Sequence, residues 1–410
     1  MGWRNAARAE LPLLRANTFA LTALLAALTG IGPLSTDMYL PSLPDISNRL
    51  EATTAQTQLT ISAYLVGFAI GQLLYGSASD RFGRKPVLLT GLLIYCAASF
   101  LCAFAWSIEM LMLARALQAV GACSGIVLAR AIVRDLYSGA RAGRELSLMG
   151  MVMALAPVLA PVAGGVLQTV FDWRANFVAL TASGLLIVLV VWLLLPETLP
   201  RRSPALKLTG MLRSFGGFLR DGNFLAHTGL VVFVFAGLFA WISGSSFVLQ
   251  DIYGQSAFDF GIAFALGSVG YMAGSALAAK FVGRYGIGTV SGCGAAAAAI
   301  GGLLMVGAVV LDIRSGFAMV VPMGLYLAGM GGVLGQAIAG ALQPYHDRAG
   351  AASSLLGFIQ QSVSAVVGVV IGHMLGDSAM PMAAGVAICG CITLAIWAAT
   401  RGIRARGLHH

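Results

Sequence analysis

Apolar stretches of about 18 residues or more recur from Phe19 to Ala399, each long enough to cross about 30 Å of hydrocarbon as a helix. That repeated length constrains the fold more than any single motif. Backbone N–H and C=O groups in lipid must be satisfied internally, which leaves helices or a closed barrel. The stretches are continuous rather than alternating, so they are helical. Charge agrees with this reading: 10% of the 410 residues are Asp, Glu, Lys or Arg, against about 25% in a soluble domain. The chain is expected to be an all-α, multi-pass membrane protein.

Twelve spans are expected, at roughly 19–41, 57–78, 86–106, 108–133, 145–167, 176–195, 225–249, 260–281, 289–311, 317–343, 350–375 and 382–400. The longest polar interval, 199–223, holds Pro200, Arg201, Arg202, Lys207, Arg213 and Arg220. It reads as a basic linker, partly an amphipathic helix on the membrane surface. It divides the chain into two six-helix bundles, 1–198 and 224–410, with the linker between them. The net charge of +9 does not point to nucleic acid, because twenty of the 25 Lys and Arg sit in the two tails and alternate loops. The exceptions are Arg49, Arg174 and Arg314 in the other loops and Arg115 and Arg130 within spans. This asymmetry follows the positive-inside rule and places both termini in the cytoplasm. The six cysteines all fall in apolar runs and read as packing residues without disulfides. The first run is long enough to remain as a span rather than a cleaved signal. His409 and His410 carry no weight.

One charged turn, Gly71–Lys85 (GQLLYGSASDRFGRK), separates spans 2 and 3, and a worn copy follows: Gly267, Lys280, Gly283 and Arg284 stand where Gly67, Asp80, Gly83 and Arg84 stood. Ala142, Gly143 and Gly150 find counterparts in Ala349, Gly350 and Gly357. Six spans per half make each half enter and leave on one side, so the repeat is parallel, with sites expected at the interface of the halves near the midplane.

These residues also carry a family resemblance. Gly76-x3-Asp80-Arg81-x-Gly83-Arg84-Lys85 resembles motif A of the major facilitator superfamily, and Leu111-x3-Arg115-x2-Gln118-x2-Gly121 resembles its motif B. Ala156-Pro157-x3-Pro161-x2-Gly164-Gly165 resembles the antiporter motif C, with Ala in place of some glycines. The segments 35–41 (STDMYLP), 239–243 (FAWIS), 247–250 (FVLQ) and 349–358 (AGAASSLLGF) resemble those of the bicyclomycin-resistance/CflA branch of 12-span drug:proton antiporters. The resemblance implies the major facilitator fold, two pseudo-symmetric six-helix bundles, in a bacterial inner membrane.

The residues have physical readings beside the resemblance. Gly76 and Gly83 permit a turn and close helix approach. The resemblance implies that Asp80 faces the N-terminus of span 11, that Arg84 meets Asp135, and that together they latch the cytoplasmic side; alternatively these charges only orient the loop. Asp37 is the carboxylate placed within a span. Such a charge costs about 2.5–3.5 kcal/mol on insertion scales, less if it is protonated, faces an aqueous cavity or pairs with a cation. Pro41 and Pro44 leave open that Asp37 simply reaches water at the end of span 1. Arg115 lies about 9 Å into span 4, where it can snorkel; the resemblance implies that it and Gln118 face span 1 and tune Asp37. Arg130 reads as an anchor. Pro157 and Pro161 with Gly164 and Gly165 suit a bent, tightly crossing helix. Tyr39, Tyr64, Phe68, Phe235, Phe239, Trp241, Gln336, Gln360 and Gln361 are candidates to line a cavity for amphipathic substrates, or else packing residues. His373 reads as a packing histidine. The second half shows no intramembrane acid, which points to one protonation site.

No nucleotide-binding loop or metal-ligand spacing occurs, so the chain is not expected to be an enzyme or to need a cofactor. A proton gradient would drive export of small amphipathic compounds by a monomer. The alternatives are export of a physiological metabolite, coupling to sodium, and a non-transporting sensor on the same fold.

Overall fold

The computed structural model describes residues 18–137, 139–199 and 214–407. The basic stretch 200–213, the amino-terminal tail 1–17, residue 138 and the end 408–410 with His409 and His410 lie outside the described residues, so of the expected linker helix only 214–218 is described as helical. Among the described residues every regular element is helical: α1 (Phe19–Asp37), α2 (Leu43–Arg49), α3 (Thr54–Phe82), α4 (Arg84–Ala103), α5 (Ile108–Leu136), α6 (Gly139–Val170), α7 (Trp173–Leu194), α8 (Gly222–Phe247), α9 (Ala257–Val310), α10 (Gly316–Leu342), α11 (Ala349–Met374), α12 (Met380–Ala399) and α13 (Arg401–Gly407). Eleven of the described segments are long and apolar enough to cross a membrane. Helix starts carry side-chain caps, among them capping boxes at Thr53/Gln56 and Ser256/Asp259, which satisfy amides that the first turn leaves free.

The count becomes twelve because α9 makes two passes. Its 54 residues would reach about 80 Å as one rod, far beyond one bilayer. At Gly286 the backbone leaves helical geometry, with φ +77° and ψ 161°. Gly83, between α3 and α4, does the same at φ +104° and ψ 153°. A positive φ of this kind is open to glycine at little cost. These two breaks set the register of the internal repeat at an offset of 203, which corrects the expected alignment by three residues. The packing glycines agree. A Cβ on Gly67 would strike the carbonyl of Ala116, and one on Gly270 that of Gly324; Gly71 and Gly274 form the next such pair, against Cys123 and Ala328. Asp80 therefore corresponds to Gly283, not to Lys280, and Arg81-Phe82-Gly83 corresponds to Arg284-Tyr285-Gly286. The second hinge has neither the acid nor an equivalent of Arg84.

Span 1 also differs from expectation. Instead of running to residue 41, α1 stops at Asp37, a 3-10 turn covers Leu40–Ser42, and α2 continues to Arg49. Pro41 and Pro44 supply no amide to the Asp37 and Leu40 carbonyls, and two such gaps three residues apart interrupt the helix here, whereas α1, α6 and α10 continue through Pro33, Pro157, Pro161 and Pro322.

Within the first half α1 packs on α5 and α6, α3 on α5, and α4 on α5 and α7; within the second, α9 packs on α10 and α12, and α8 on α10, α11 and α12. The halves meet where α3 lies on α11 and α6 on α9. Gly164 of α6 abuts the Met38 carbonyl, while Gly165 abuts Ala257 and Gly261 of α9 abuts Pro161. The paired glycines beside Pro157 and Pro161 thus sit where α6 crosses both α1 and the opposite half. All six cysteines are free.

Because Gly274 has backbone against its missing side chain while Gly283 has open space around it, Gly274→Val should destabilise the protein by about 1–3 kcal/mol. Gly283→Ala should be neutral. Thermal unfolding in detergent, followed by size-exclusion, checks the contrast.

Candidate functional site

The first half encloses a polar core around Arg115. The side chain is fully buried, held on α5 by a helix whose small residues Gly121 and Gly125 bring the backbones of α4 and α1 against it. One guanidinium nitrogen, Nη1, donates to the Ser35 carbonyl of α1 at 2.8 Å and to Gln118 Oε1 at 2.5 Å. Gln118 Nε2 in turn donates to Ser99 Oγ of α4 at 2.8 Å. Three aromatic rings surround the cation, with centroids 4.2 Å (Tyr39), 4.3 Å (Tyr64) and 5.8 Å (Phe177) from Cζ. Their faces carry negative potential and stabilise a desolvated cation by about 2 kcal/mol where geometry is good. Ring hydroxyls fix the box: Tyr39 pairs with Thr60, Tyr64 donates to the Gly32 carbonyl, and Tyr95 pairs with Ser35 Oγ.

This placement moves Tyr39 and Tyr64 away from the cavity wall expected of them. They are 0% and 2% exposed and face Arg115 inside one half. Arg115 does not snorkel: its Nη1 is bonded inward, while Nε and Nη2 are buried without a hydrogen-bond partner among the described residues and face the rings. Tyr95, Ser99 and Phe177 complete the core and were not singled out from the sequence; a Tyr and a Ser one turn apart in an otherwise apolar span were the available signal.

Asp37 closes α1 and is 6% exposed. Its carboxylate makes no hydrogen bond or ion pair among the described residues, and the charge whose field acts on it is that of Arg115. Arg115 is bonded to the α1 backbone at Ser35, two residues before Asp37.

Of the remaining cavity candidates, Phe68, Phe239, Trp241 and Gln361 are buried, and Phe235, Gln336 and Gln360 are half-buried. Phe68 lies against Gly32 of α1, and Gln361 keeps an unbonded Oε1. His373 is exposed and bonds the Val369 carbonyl within its own helix, and Arg130 is an exposed residue of α5.

At the hinge, Arg84 joins two acids. Its Nε reaches Asp135 at 2.8 Å and its Nη1 reaches Asp80 at 2.5 Å and Ser79 Oγ at 2.6 Å. The expected Arg84–Asp135 contact is present. Asp80, however, turns to Arg84 in its own half and makes no bond to the N-terminus of α11 among the described residues, with 40% of its side chain exposed. A Cβ added at Gly76 would meet nothing within 4 Å, so no close helix approach depends on that glycine. Glu197 was missed: its carboxylate accepts the amides of Arg84 at 3.0 Å and Lys85 at 3.3 Å, capping the N-terminus of α4, where a negative charge meets the helix dipole. Glu145 was missed too. It is 2% exposed on α6, accepts from Thr22 of α1 at 2.6 Å and pairs with Arg141.

Comparison with known proteins places the chain. A family model described as Major Facilitator Superfamily matches residues 25–369. An uncharacterized MFS-type transporter of Bacillus subtilis, YdgK, is 36% identical over 89% of this chain and 91% of its own length. A bicyclomycin resistance protein homolog of Haemophilus influenzae is 29% identical over 95% of this chain and 99% of its own. Among solved structures, the xylose transporter XylE from E. coli, in a partially occluded inward-open conformation, superposes with a TM-score of 0.73 at 14% identity, covering 94% of this chain and 97% of that one.

The aromatic box gives a graded expectation. Tyr64→Phe loses one hydrogen bond, about 1 kcal/mol, whereas Tyr64→Leu also loses a ring face, for about 2–3 kcal/mol in all. Unfolding of the purified variants in detergent should rank them in that order.

Proposed function

The chain belongs to the major facilitator superfamily, and we propose that within it the protein exports small amphipathic compounds, drugs among them, in exchange for protons. It is a multi-pass membrane transporter, not an enzyme. The observation that carries the coupling is Asp37: a buried carboxylate with no ion pair among the described residues, at the break between α1 and α2, in the field of a buried arginine. An ionisable group in such a place is costly unless its charge is exchanged during the cycle. A proton or a cationic or hydrogen-bonding cargo can each relieve that cost, so binding of one favours release of the other. Arg115, held by Gln118 and the aromatic rings, supplies a fixed positive field that the cycle does not have to rebuild.

The export of drugs is supported by similarity to a protein named for bicyclomycin resistance and by the paired glycines and prolines of α6. The units 1–198 and 224–410 would rock about their interface, joined by 199–223. The arginine distribution supports placing the basic hinge end and both termini in the cytoplasm of a bacterial inner membrane, with the end carrying α2 facing outward. Asp80, Gly83, Arg84 and Asp135 would act as a cytoplasmic latch, engaged across the halves when that side closes. The transporter would work as a monomer, with protons and small amphipathic molecules as its partners and the proton gradient as its energy source.

Purified protein in liposomes with an imposed pH gradient tests this. Gradient-driven efflux of a fluorescent amphipathic cation should fall in Asp37→Asn to the rate seen without a gradient, and Asp37→Glu should retain part of it. Full gradient-driven efflux in Asp37→Asn would sink the assignment. Replacing the pH gradient by a sodium gradient should drive nothing.

A further inference from the structure

The break after Asp37 creates acceptors that the opposite half uses. Pro44 has no N–H for the Leu40 carbonyl, and backbone acceptors away from water need partners. Leu40 takes the amide of Leu43 within the 3-10 turn, and its carbonyl also accepts from Ser246 Oγ of α8 at 2.6 Å. The Pro41 carbonyl accepts from Gln250 Nε2 at 3.1 Å, and the same nitrogen donates to Ser246 Oγ at 2.8 Å. The three bonds form one relay, in which Gln250 orients the Ser246 hydroxyl and both reach across the interface. Ser246 is fully buried. Gln250 lies in a π-helical turn, Val248–Ile252, at the end of α8, a geometry that re-aims side chains by one extra residue.

The acceptor segment is fastened separately to its own half. Asn176 of α7 donates to Ser42 Oγ at 3.0 Å, Gln168 of α6 donates to Asp45 at 3.0 Å, and Gly164 abuts the Met38 carbonyl. When the halves part at this end, the segment stays with the first half, and the bonds to Ser246 and Gln250 are the ones that break. These bonds tie the second half to the backbone beside Asp37, three residues from Leu40.

We propose that Ser246 and Gln250 form a releasable clamp that holds the α2 end of the interface shut and positions the segment carrying Asp37. They are positioning residues that touch neither proton nor cargo. The inference rests on the alternating-access reading above. Opening of this end requires the Leu40 and Pro41 carbonyls to exchange the clamp for water, so the clamp sets how long Asp37 faces the hinge side.

Gln58 reports the opening. It lies on α3 against Gly372 of α11, is 1% exposed, and its amide has no bonded partner among the described residues. A Gln58→Cys background is labelled in membranes with an impermeant maleimide from the α2 side, with labelling of the parent subtracted. Adding Ser246→Ala or Gln250→Ala should each speed labelling roughly fivefold, the weight of one net hydrogen bond, and Ser246→Thr should leave it unchanged. The pH midpoint of efflux should move in the alanine variants and stay in the threonine variant. Unchanged labelling in an alanine variant that remains folded and monodisperse overturns the clamp, as does faster labelling in Ser246→Thr. Faster labelling with an unmoved pH midpoint overturns its link to Asp37. Labelling needs no gradient and no cargo, so it judges the clamp even where efflux disproves proton coupling.

Discussion

Every polar backbone group that cannot find a partner inside its own helix must find one elsewhere when water is excluded, and this structure is arranged around the places where that happens. Most of the chain obeys the rule trivially as long helices. The exceptions are few: the Pro41/Pro44 break after Asp37, the glycine breaks at Gly83 and Gly286, and the π-helical turn at Val248–Ile252. Three of the four lie beside a charge or a contact between the halves. Irregular backbone is tolerated at membrane depth where it is buried in protein; at the Pro41/Pro44 break the opposite half supplies partners and at Gly83 the Glu197 carboxylate does, while Gly286 is exposed.

The two ends of the interface are therefore built from different chemistry. At the α2 end, neutral hydrogen bonds from Ser246 and Gln250 reach backbone carbonyls. At the hinge end, charges dominate, but they are spent within the first half: Arg84 on Asp80 and Asp135, and Glu197 on the amides that begin α4. Neutral bonds exchange with water at small net cost, which suits a contact that opens in each cycle. The second half does not repeat the charged cluster, since the position matching Asp80 is Gly283 and that matching Arg84 is Ile287. Its hinge end is closed instead by Phe218, Phe224 and Tyr345, with Tyr345 donating to Asp221.

Arg115 shows how a buried cation is made tolerable without an ion pair. Two acceptors and three ring faces surround it, all from one half. Its field acts on Asp37 without a hydrogen bond or ion pair between them among the described residues. The aromatic residues that looked like a substrate wall, Tyr39 and Tyr64, serve this purpose. Residue type alone could not separate the two uses, because a ring that stacks on an internal guanidinium and one that stacks on a cationic cargo do the same chemistry.

Span length and the placement of charge were legible in the sequence, because each acts locally: hydrocarbon thickness sets the run length, and charges are largely kept out of it. These determined the all-helical fold, the two halves, the candidate carboxylate at Asp37 and the Arg84–Asp135 pairing that the motif implied. The register of the internal repeat was not legible, since several glycines compete and only φ shows that Gly286, not Gly283, makes the turn. Nor were the contacts of Glu197 with the Arg84 amide and of Glu145 with Thr22, whose partners lie more than a hundred positions away. Which side chains face the opposite half is decided by helix rotation and packing. Only the tertiary structure could show that Ser246 and Gln250 meet the Leu40 and Pro41 carbonyls at the proline break.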